Sequence, residues 1–357
     1  MANEKRQLRF GVVGLGRMGQ RRVKLVQEHG ETTLVAVADV DTTKARETGE
    51  QNGCAWYQDE AALVARDDID VVFVSTPNKH HEATVVGALS NGKHVFCEKP
   101  LASTLDEALR MLAAMRLGTT LKVGANLRFF PNVRKAKVFM QEGRIGQPLF
   151  LRAWIGHQGW NLDGAWYGDP EVAGGGTYLD NGVHVFDLVR WYLGEPVSCI
   201  GTMQRMMKLK NNVEDNGFGI FEMASGAVAY VQSSWTEWAG YMYLELYGTE
   251  GFLRIDNRGS ASSLLFGDRS GKEEPIDYSK IPPASFQWEF YDYVKSVLTG
   301  VTPEPTGLDG LRAMQMAFAA YESSASGRKS FLADLTGASK GIDAQTEARA
   351  SSTLGID

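Results

Sequence analysis

The chain has 357 residues, more than one hydrophobic core usually organises, and its 43% hydrophobic and 22% charged residues are typical of a globular protein with two domains. A formal net charge of −6 and a sequence pI near 5.6 argue against binding to nucleic acid or to an anionic membrane surface. The amino terminus lacks a signal-peptide pattern and no run of about 18 apolar residues occurs, so we expect a cytoplasmic protein without a membrane span.

The three cysteines, Cys54, Cys97 and Cys199, are too few and too scattered for a disulfide framework or a zinc site. This pattern fits a reducing compartment, with each cysteine acting as a small buried hydrophobic residue. We expect no metal site.

The first predicted strand, Leu8 to Val13, leads into a glycine-rich loop and then a helix from Gln20 to Glu28. The loop reads Gly14-Leu15-Gly16-Arg17-Met18-Gly19. In dinucleotide-binding folds the first glycine makes the tight turn, the second lets the backbone approach a pyrophosphate, and the third lets the helix pack on the strand. The helix then directs free amides at the phosphates, so we predict a dinucleotide site here.

A second strand, Leu34 to Ala38, ends at Asp39, about 20 residues beyond the glycines, as in these folds. An acid at this point accepts hydrogen bonds from the ribose hydroxyls of NAD and repels the 2′-phosphate of NADP. The sequence therefore favours NAD, although Lys44 and Arg46 lie close enough to keep NADP open.

The alternation of strands and helices continues as far as residue 125 and predicts a doubly wound parallel sheet, a Rossmann domain spanning residues 1–125. Ser75, Thr76 and Asn78 follow the carboxyl end of the strand Ile69 to Val74. They are placed to hydrogen-bond the nicotinamide ribose. The alternative is that the two hydroxyls shape the turn and Asn78 caps the next helix.

The strand His94 to Cys97 is followed by Glu98-Lys99-Pro100. Loops at the carboxyl ends of parallel strands form the ligand crevice, so Glu98 and Lys99 are expected to project towards the cofactor. An ordinary exposed loop with a solvated lysine is the alternative interpretation.

Beyond residue 125 the pattern changes to that of an α+β domain, predicted to span residues 126–335. Short segments between Val197 and Phe266 alternate β-branched and aromatic residues between turns, which predicts a large, mainly antiparallel sheet. Two predicted helices, near Ser285 to Leu298 and Gly310 to Ser323, close the domain. Residues 336–357 lack periodicity and are predicted to be a separate tail, either a mobile end or an arm that docks on a neighbouring subunit.

A second informative stretch begins with Gly174-Gly175-Gly176 and enters a predicted helix from Thr177 to Leu193. Asp180 and His184 are four residues apart in it and therefore share one face of the helix. A carboxylate one turn from an imidazole can orient it and stabilise its protonated form, as a general base acting on an alcohol requires. The alternative is a helix histidine in a local salt bridge.

Taken together, the glycine loop, Glu98-Lys99-Pro100 and the segment from Gly174 to Asp187 resemble the signature motifs of the Gfo/Idh/MocA oxidoreductases, the group of glucose-fructose oxidoreductase and inositol dehydrogenase. The resemblance covers about residues 8 to 335. It implies a catalytic set of Lys99, Asp180 and His184, with Lys99 contributed by the cofactor domain and the base by the second domain. It also implies that residues matching Ser75, Thr76, Asn78, His81, Glu98 and Asn126 lie against the cofactor.

Two features depart from the patterns seen in this family. Trp166 is followed by Tyr167 where members often carry an arginine, so one contact to cofactor or substrate is missing or replaced. Glucose-fructose oxidoreductase resembles a variant of the family pattern with tyrosine at the position of the base, whereas this chain has His184 there. The histidine favours the inositol dehydrogenase type of chemistry. Candidate substrate contacts, besides Lys99, Asp180 and His184, are Arg128, Arg152, His157, Trp160, Asn161, Trp166 and Tyr167.

These motifs predict an NAD(P)-dependent oxidoreductase that transfers hydride between a secondary hydroxyl of a sugar, cyclitol or related polyol and nicotinamide. One alternative is an NAD-dependent glycosidase that oxidises its substrate transiently and eliminates the aglycone. A redox-sensing NAD-binding protein is disfavoured because lysine, acid and histidine are all present. The resemblance also suggests a homodimer or homotetramer in which the sheets pack face to face.

Overall fold

The structure, a computed structural model, describes residues 7–159, 164–207, 210–282 and 284–335. Its contacts divide the chain into two compact units. Of the described residues, unit 1 contains those up to Gly124 together with Gln287–Leu311, and unit 2 contains those in Ala125–Phe286 and from Arg312 onward. The predicted tail, residues 336–357, lies outside the described residues. Within them, no helix is long and apolar enough to cross a membrane.

Unit 1 is built on a parallel sheet that contains six strands within the described residues, in the order β3-β2-β1-β4-β5-β6. This is the strand order of a dinucleotide-binding Rossmann domain. The strands are β1 (Leu8–Val13), β2 (Thr32–Ala38), β3 (Ala55–Tyr57), β4 (Val71–Val74), β5 (His94–Cys97) and β6 (Leu121–Val123). All four residues of β4 are buried, as expected for a strand covered on both faces.

Helices of unit 1 follow the strands in sequence, and side chains fix where several of them begin. Among the described residues up to Gly124 they are α1 (Arg17–Glu28), α2 (Thr42–Asn52), α3 (Glu60–Val64), α4 (His81–Ser90) and α5 (Leu105–Ala113). The side chain of Asp41 accepts hydrogen bonds from two amides of the first turn of α2. Thr104 and Glu107 form a reciprocal capping box at the start of α5.

The segment Gln287–Leu311 clusters with unit 1, whereas the sequence placed it in the second domain. It contains most of α10 (Ser285–Thr299). The ring of Phe290 lies 5.7 Å from the rings of both Phe10 and Phe73, measured between centroids, and Glu289 pairs with Arg22. These long-range contacts to a buried aromatic cluster explain the difference, because sequence order does not reveal them.

Unit 2 is built on a mixed sheet with nine strands among the described residues, in the order β14-β13-β12-β11-β7-β10-β9-β8-β15. Of the strand pairings that the described residues form in this sheet, that of β7 with β10 is parallel and the others are antiparallel. The strands are β7 (Pro148–Gly156), β8 (Pro196–Gln204), β9 (Asn216–Met223), β10 (Val228–Ser234), β11 (Tyr241–Gly248), β12 (Gly251–Arg258), β13 (Ser263–Asp268), β14 (Glu273–Asp277) and β15 (Ser330–Phe331). The predicted fold class is confirmed.

Helices pack against one face of this sheet. The described helices that lie wholly in unit 2 are α6 (Pro131–Gln141), α7 (Pro170–Ala173), α8 (Thr177–Asp180), α9 (Gly182–Leu193) and α12 (Leu332–Leu335). Helix α11 (Gly307–Ser326) begins in unit 1 and has its later turns in unit 2. On β7, Leu151, Ala153 and Ile155 are buried on the helix side. The alternate residues of β7 therefore point to the opposite face.

Candidate functional site

The glycine loop between β1 and α1 meets three separate physical demands. Gly14 has φ +85°, and a Cβ there would lie 2.7 Å from the backbone of Ser75. A Cβ on Gly19 would lie 1.8 Å from the carbonyl oxygen of Gly14, so only glycine lets α1 approach the loop. A Cβ on Gly16 would meet nothing within 4 Å. The space beside Gly16 and the amides at the start of α1 suit a phosphate group.

The carboxylate of Asp39 lies beside this loop, at the end of β2. One oxygen accepts a hydrogen bond of 2.7 Å from the amide of Leu15, and the other accepts one of 2.9 Å from the amide of Asp41. Asp39 is only partly buried, so these bonds orient the carboxylate without removing it from solvent. It is therefore held where the sequence pattern requires a ribose-binding acid.

Ser75 and Thr76 follow β4 and carry hydroxyl groups that lack hydrogen-bond partners among the described residues, although both oxygens are buried. Asn78, close by in a 3-10 turn, is 4% exposed. Buried polar groups are nearly always satisfied in folded proteins. Hydroxyl groups of a dinucleotide bound over Gly14 would provide the missing partners, so these residues fit such a cofactor.

His81 at the start of α4 has no exposed surface, and both of its ring nitrogens face backbone oxygens. Nε2 lies 2.9 Å from the oxygen of Thr76, and Nδ1 lies 3.1 Å from the oxygens of Pro100 and Leu101. Burial lowers the pKa of this imidazole. His81 thus connects the loop after β4 to the loop that follows Lys99.

The carboxylate of Glu98 points towards the interior of unit 1. Its Oε1 accepts from Arg22, 2.8 Å from Nε and 2.6 Å from Nη2. Arg22 also lies 3.3 Å from Glu289, which lies 3.8 Å from Lys122. Arg22, Lys122 and Glu289 have fully buried side chains, so two cations and two carboxylates balance one another away from water. We refer to these four residues as the Arg22 network.

Lys99 follows Glu98 directly, is partly buried, and precedes Pro100 through a cis peptide bond. The Arg22 network therefore fixes the strand end from which Lys99 projects. The structure gives Glu98 a partner in the interior rather than the exposed loop position that its charge alone would suggest.

Asp180 and His184 lie on two short helices in unit 2. The sequence predicted one continuous helix, but α8 ends at Asp180, α9 begins at Gly182, and the amide of His184 donates to the carbonyl of Asn181 at 3.1 Å. Glycine is a poor helix former, which accounts for the break at this point. His184 is 7% exposed, and Asp180 is partly buried.

Tyr241, at the start of β11, lies near Asp180. Burial, together with the negative charge of Asp180, raises the pKa of the Tyr241 phenol. Tyr241 was not predicted from the sequence, and neither were Glu214, whose carboxylate binds the start of α8, and Tyr321, which donates to that carboxylate. No local pattern could have found them, because each is distant in sequence from the residues that it contacts.

Two candidates from the 3-10 turn Asn126–Phe129 have partners within unit 2. The side-chain nitrogen Nδ2 of Asn126 donates to the hydroxyl of Ser285 at 2.9 Å. The guanidinium of Arg128 binds both carboxylate oxygens of Asp187, at 2.7 and 2.6 Å, and only 6% of Arg128 is exposed. Arg128 thus anchors α9, which carries His184.

The remaining substrate candidates occupy different places in unit 2. The rings of Trp166 and Tyr167 stack with centroids 3.8 Å apart, and Nδ1 of His157 lies 3.1 Å from the carbonyl oxygen of Gln158. Arg152 lies on the sheet face opposite α9, where it binds Glu245 at 2.9 Å. Trp160 and Asn161 lie outside the described residues. In the part of the chain that the structure describes, no three His, Cys, Asp or Glu side chains group as metal ligands would.

Two family models match the chain. Residues 8–124 match the oxidoreductase family with an NAD-binding Rossmann fold, and residues 133–254 match the GFO/IDH/MocA C-terminal domain. The chain belongs to the Gfo/Idh/MocA oxidoreductase family. Its predicted family membership is thereby confirmed, as is NAD as the cofactor of the Rossmann domain.

Named relatives cover most of the chain. A myo-inositol 2-dehydrogenase of Thermotoga maritima is 28% identical over 88% of this chain and 96% of its own length. A 1,5-anhydro-D-fructose reductase of Ensifer adhaerens is 31% identical over 74% of this chain and 80% of its own length. A levoglucosan dehydrogenase, solved with NADH and levoglucosan, superposes with a TM-score of 0.83 at 23% identity and covers 91% of this chain and 99% of its own. That likeness shows the shared fold.

Proposed function

We propose that this member of the family oxidises a secondary hydroxyl of a sugar, cyclitol or related polyol reversibly, with NAD as the hydride acceptor. The observation that carries the proposal is the placement of a carboxylate, Asp180, and a largely buried histidine, His184, four residues apart on α8 and α9, in a chain whose other unit binds NAD. A proton acceptor and a hydride acceptor are the two components that oxidation of an alcohol requires.

The residues that would hold the cofactor begin with the glycine loop of unit 1. The amides of Gly16 to Gly19 would bind its pyrophosphate, Asp39 would accept hydrogen bonds from a ribose, and the hydroxyls of Ser75 and Thr76 would bind the nicotinamide ribose. The carboxylate of Asp39 favours NAD over NADP, because a 2′-phosphate beside it would meet like charge. When bound, the nicotinamide supplies the group that accepts hydride.

The proton chemistry falls to His184. Its imidazole accepts the proton of the substrate hydroxyl, and Asp180 orients the ring and stabilises its protonated form. His184 is 7% exposed and Asp180 is partly buried, and reduced contact with water strengthens the attraction between a carboxylate and an imidazolium.

Lys99 stabilises the charge that develops on the substrate. Its ammonium group donates a hydrogen bond to the reacting oxygen and stabilises the negative charge that develops there. Glu98 and His81 support this lysine by fixing the segments before and after it.

The names of the relatives support a cyclic polyol or an anhydrosugar as the substrate class. The stacked rings of Trp166 and Tyr167 offer an apolar surface on which the C–H face of a sugar ring can pack. His157, Trp160 and Asn161 remain candidate polar and aromatic contacts.

A spectrophotometric screen tests the reaction. NAD and NADP are each incubated with cyclitols, aldoses, anhydrosugars and aryl glycosides, and reduced cofactor is recorded by its absorbance. We expect NADH to form with at least one cyclitol or anhydrosugar, and NADP to react more weakly. Release of an aglycone without net NADH formation would instead establish the glycosidase chemistry.

Substitution of the proposed catalytic groups should lower turnover rather than substrate affinity. In Lys99→Met and His184→Gln we expect kcat to fall by about 10² or more, with KM and the dissociation constant of NADH changed by less than about threefold. Steady-state kinetics and NADH fluorescence titration measure these effects. Lys24→Met, which removes an exposed lysine of α1, is the matched control. Full turnover in Lys99→Met would refute the role of that residue.

We also propose that the chain forms a homodimer or homotetramer through the open face of the sheet in unit 2. A row of directly paired residues crosses this face: Ile200, Ile220, Tyr230, Arg152, Glu245, Arg254 and Leu265. Ile200 and Ile220 are 54% and 51% exposed, and Glu245 lies between two arginines at 2.9 and 3.2 Å. Apolar residues beside internally paired charges suit a self-complementary interface.

A further inference from the structure

The segment that carries Asp180 is a single helical turn. α8 spans Thr177–Asp180 and joins α9 through Asn181, whose φ of −90° and ψ of −36° are still helical. The free amides at its other end need acceptors from outside the helix. The side chains around its first turn identify the anchor.

Glu214, two residues before β9, binds the start of α8 from both its side chain and its backbone. Its Oε2 accepts from the amide of Gly176 at 2.8 Å, and its Oε1 accepts from the amide of Tyr178 at 2.9 Å. Its backbone oxygen accepts from the amide of Thr177 at 3.1 Å. Three consecutive amides at the open end of the helix are thus satisfied by one residue.

Tyr321 of α11 completes this arrangement. Its hydroxyl donates to Oε1 of Glu214 at 2.8 Å. Burial raises the pKa of Glu214, and the hydrogen bonds from Tyr178, Tyr321 and Gly176 oppose that shift by stabilising the carboxylate. The carboxylate is thus held by three donors in a partly desolvated place.

The anchor explains two glycines of the Gly174-Gly175-Gly176 motif. A Cβ on Gly175 would lie 2.3 Å from the hydroxyl oxygen of Tyr321, and one on Gly176 would lie 1.9 Å from the backbone oxygen of Glu214. These glycines therefore make room for Tyr321 and Glu214 to reach the helix start.

Backbone hydrogen bonds connect Glu214 to both proposed catalytic residues. The amide of Asp180 donates to the carbonyl of Gly176 at 2.8 Å, and Gly176 is held by the carboxylate of Glu214. The amide of Asn181 donates at 2.8 Å to the carbonyl of Thr177, whose own amide is held by Glu214. Because His184 in turn donates to Asn181, displacement of the anchor would move Asp180 and His184 together.

We propose that Glu214, supported by Tyr321, is a positioning residue that sets the placement of Asp180 and His184. The inference rests on the proposed function, in which those two side chains handle the proton. Glu214 touches no reacting atom in this account and acts through the backbone of α8.

The test replaces one carboxylate oxygen of Glu214 by nitrogen and keeps the shape of the side chain. In Glu214→Gln the side-chain NH2 group takes the place of one of the two carboxylate oxygens. In either orientation it faces a backbone N–H that needs an acceptor, so one hydrogen bond to α8 is lost. Tyr321→Phe removes a single donor and leaves the carboxylate in place, which provides a second variant should the first fold poorly. Glu273→Gln, an exposed residue of the edge strand β14, is the matched control.

With the polyol that the wild-type enzyme oxidises best, we expect kcat to fall by about 10- to 100-fold in Glu214→Gln and on the order of fivefold in Tyr321→Phe. KM, the dissociation constant of NADH, and the control should change by less than about threefold. A melting temperature within about 4 °C of the wild type would separate positioning from unfolding. Unchanged kcat in both variants, or a rise in KM alone, overturns the inference.

Hydrogen exchange provides a readout that does not depend on activity. In Glu214→Gln the peptide containing Gly176 to Asn181 should exchange about tenfold faster or more, while peptides from α10 are unchanged. Unchanged exchange in that peptide overturns the inference. If the wild type oxidises no polyol, the proposed function fails, and the exchange result alone decides whether Glu214 holds α8.

Discussion

At the scale of single residues, the three glycines of the cofactor loop differ in what requires them. Gly14 is required by its positive φ and Gly19 by the carbonyl that it touches, so the folded chain alone explains both. Gly16 has a negative φ of −68° and open space around it. Only a ligand that approaches the backbone gives a reason for glycine at that position.

Gly16→Ala should therefore separate cofactor binding from folding. We expect the melting temperature to stay within about 3 °C of the wild type, because an alanine fits the backbone and meets no neighbour. The dissociation constant of NADH should rise by about tenfold or more, because the new methyl group occupies space needed by the pyrophosphate. Differential scanning fluorimetry and NADH fluorescence titration measure the two quantities.

Gly30→Ala is the matched control, since a Cβ at Gly30 also meets nothing within 4 Å but lies away from the loop in sequence. It should leave both quantities unchanged. An unaltered dissociation constant of NADH in Gly16→Ala would mean that the cofactor does not approach this residue.

At the scale of secondary-structure elements, α1 contributes both to the predicted cofactor site and to the interior of unit 1. Its first turn faces the space beside Gly16, and Arg22 on its second turn enters the interior and stacks 4.4 Å from the ring centroid of Phe96. Through Glu98 and Glu289 this one side chain connects α1 to the end of β5 and to α10. Loss of Arg22 would leave two buried carboxylates with less compensating charge.

Arg22→Met should be strongly destabilising for that reason. We expect the free energy of unfolding to fall by about 3–5 kcal/mol, the range found when one partner of a buried ion pair is removed. Urea denaturation followed by circular dichroism measures it. Lys24→Met on the same helix removes the exposed pair of Lys24 with Glu28, 3.6 Å apart, and should cost about 0–1 kcal/mol. Equal effects of the two substitutions would contradict the role given to the Arg22 network.

The elements also show what a sequence pattern can and cannot predict. The strand, glycine loop and helix from Leu8 onward follow from local apolar runs and glycine spacing, and the structure has them in that order, with the helix beginning at Arg17, three residues earlier than predicted. The break between α8 and α9, the inward direction of Glu98 and the anchor at Glu214 depend on partners far away in the chain. Local periodicity contains no information about such partners, so these features required the structure.

At the scale of the whole molecule, the two units are not consecutive in sequence. The chain leaves unit 1 at Gly124, forms most of unit 2, and returns with Gln287–Leu311 before α11 continues into unit 2. The returning segment brings Glu289 into the Arg22 network and Phe290 against Phe10. The Rossmann sheet therefore completes its core with residues nearly 300 positions after it begins.

The open face of the sheet in unit 2 is the surface through which we propose that copies of the chain associate. Ile220→Glu should dissociate the proposed oligomer, because a two-fold interface would bury the new carboxylate twice beside Ile200 and Tyr230 without a compensating cation. Sedimentation velocity should show a fall from the wild-type mass to that of the monomer, while the far-ultraviolet circular dichroism spectrum stays the same. Leu117→Glu, at an 84% exposed residue of unit 1, should keep the wild-type mass. A wild type that sediments as a monomer, or an Ile220→Glu variant that keeps the oligomeric mass, would refute an interface at this face of the sheet.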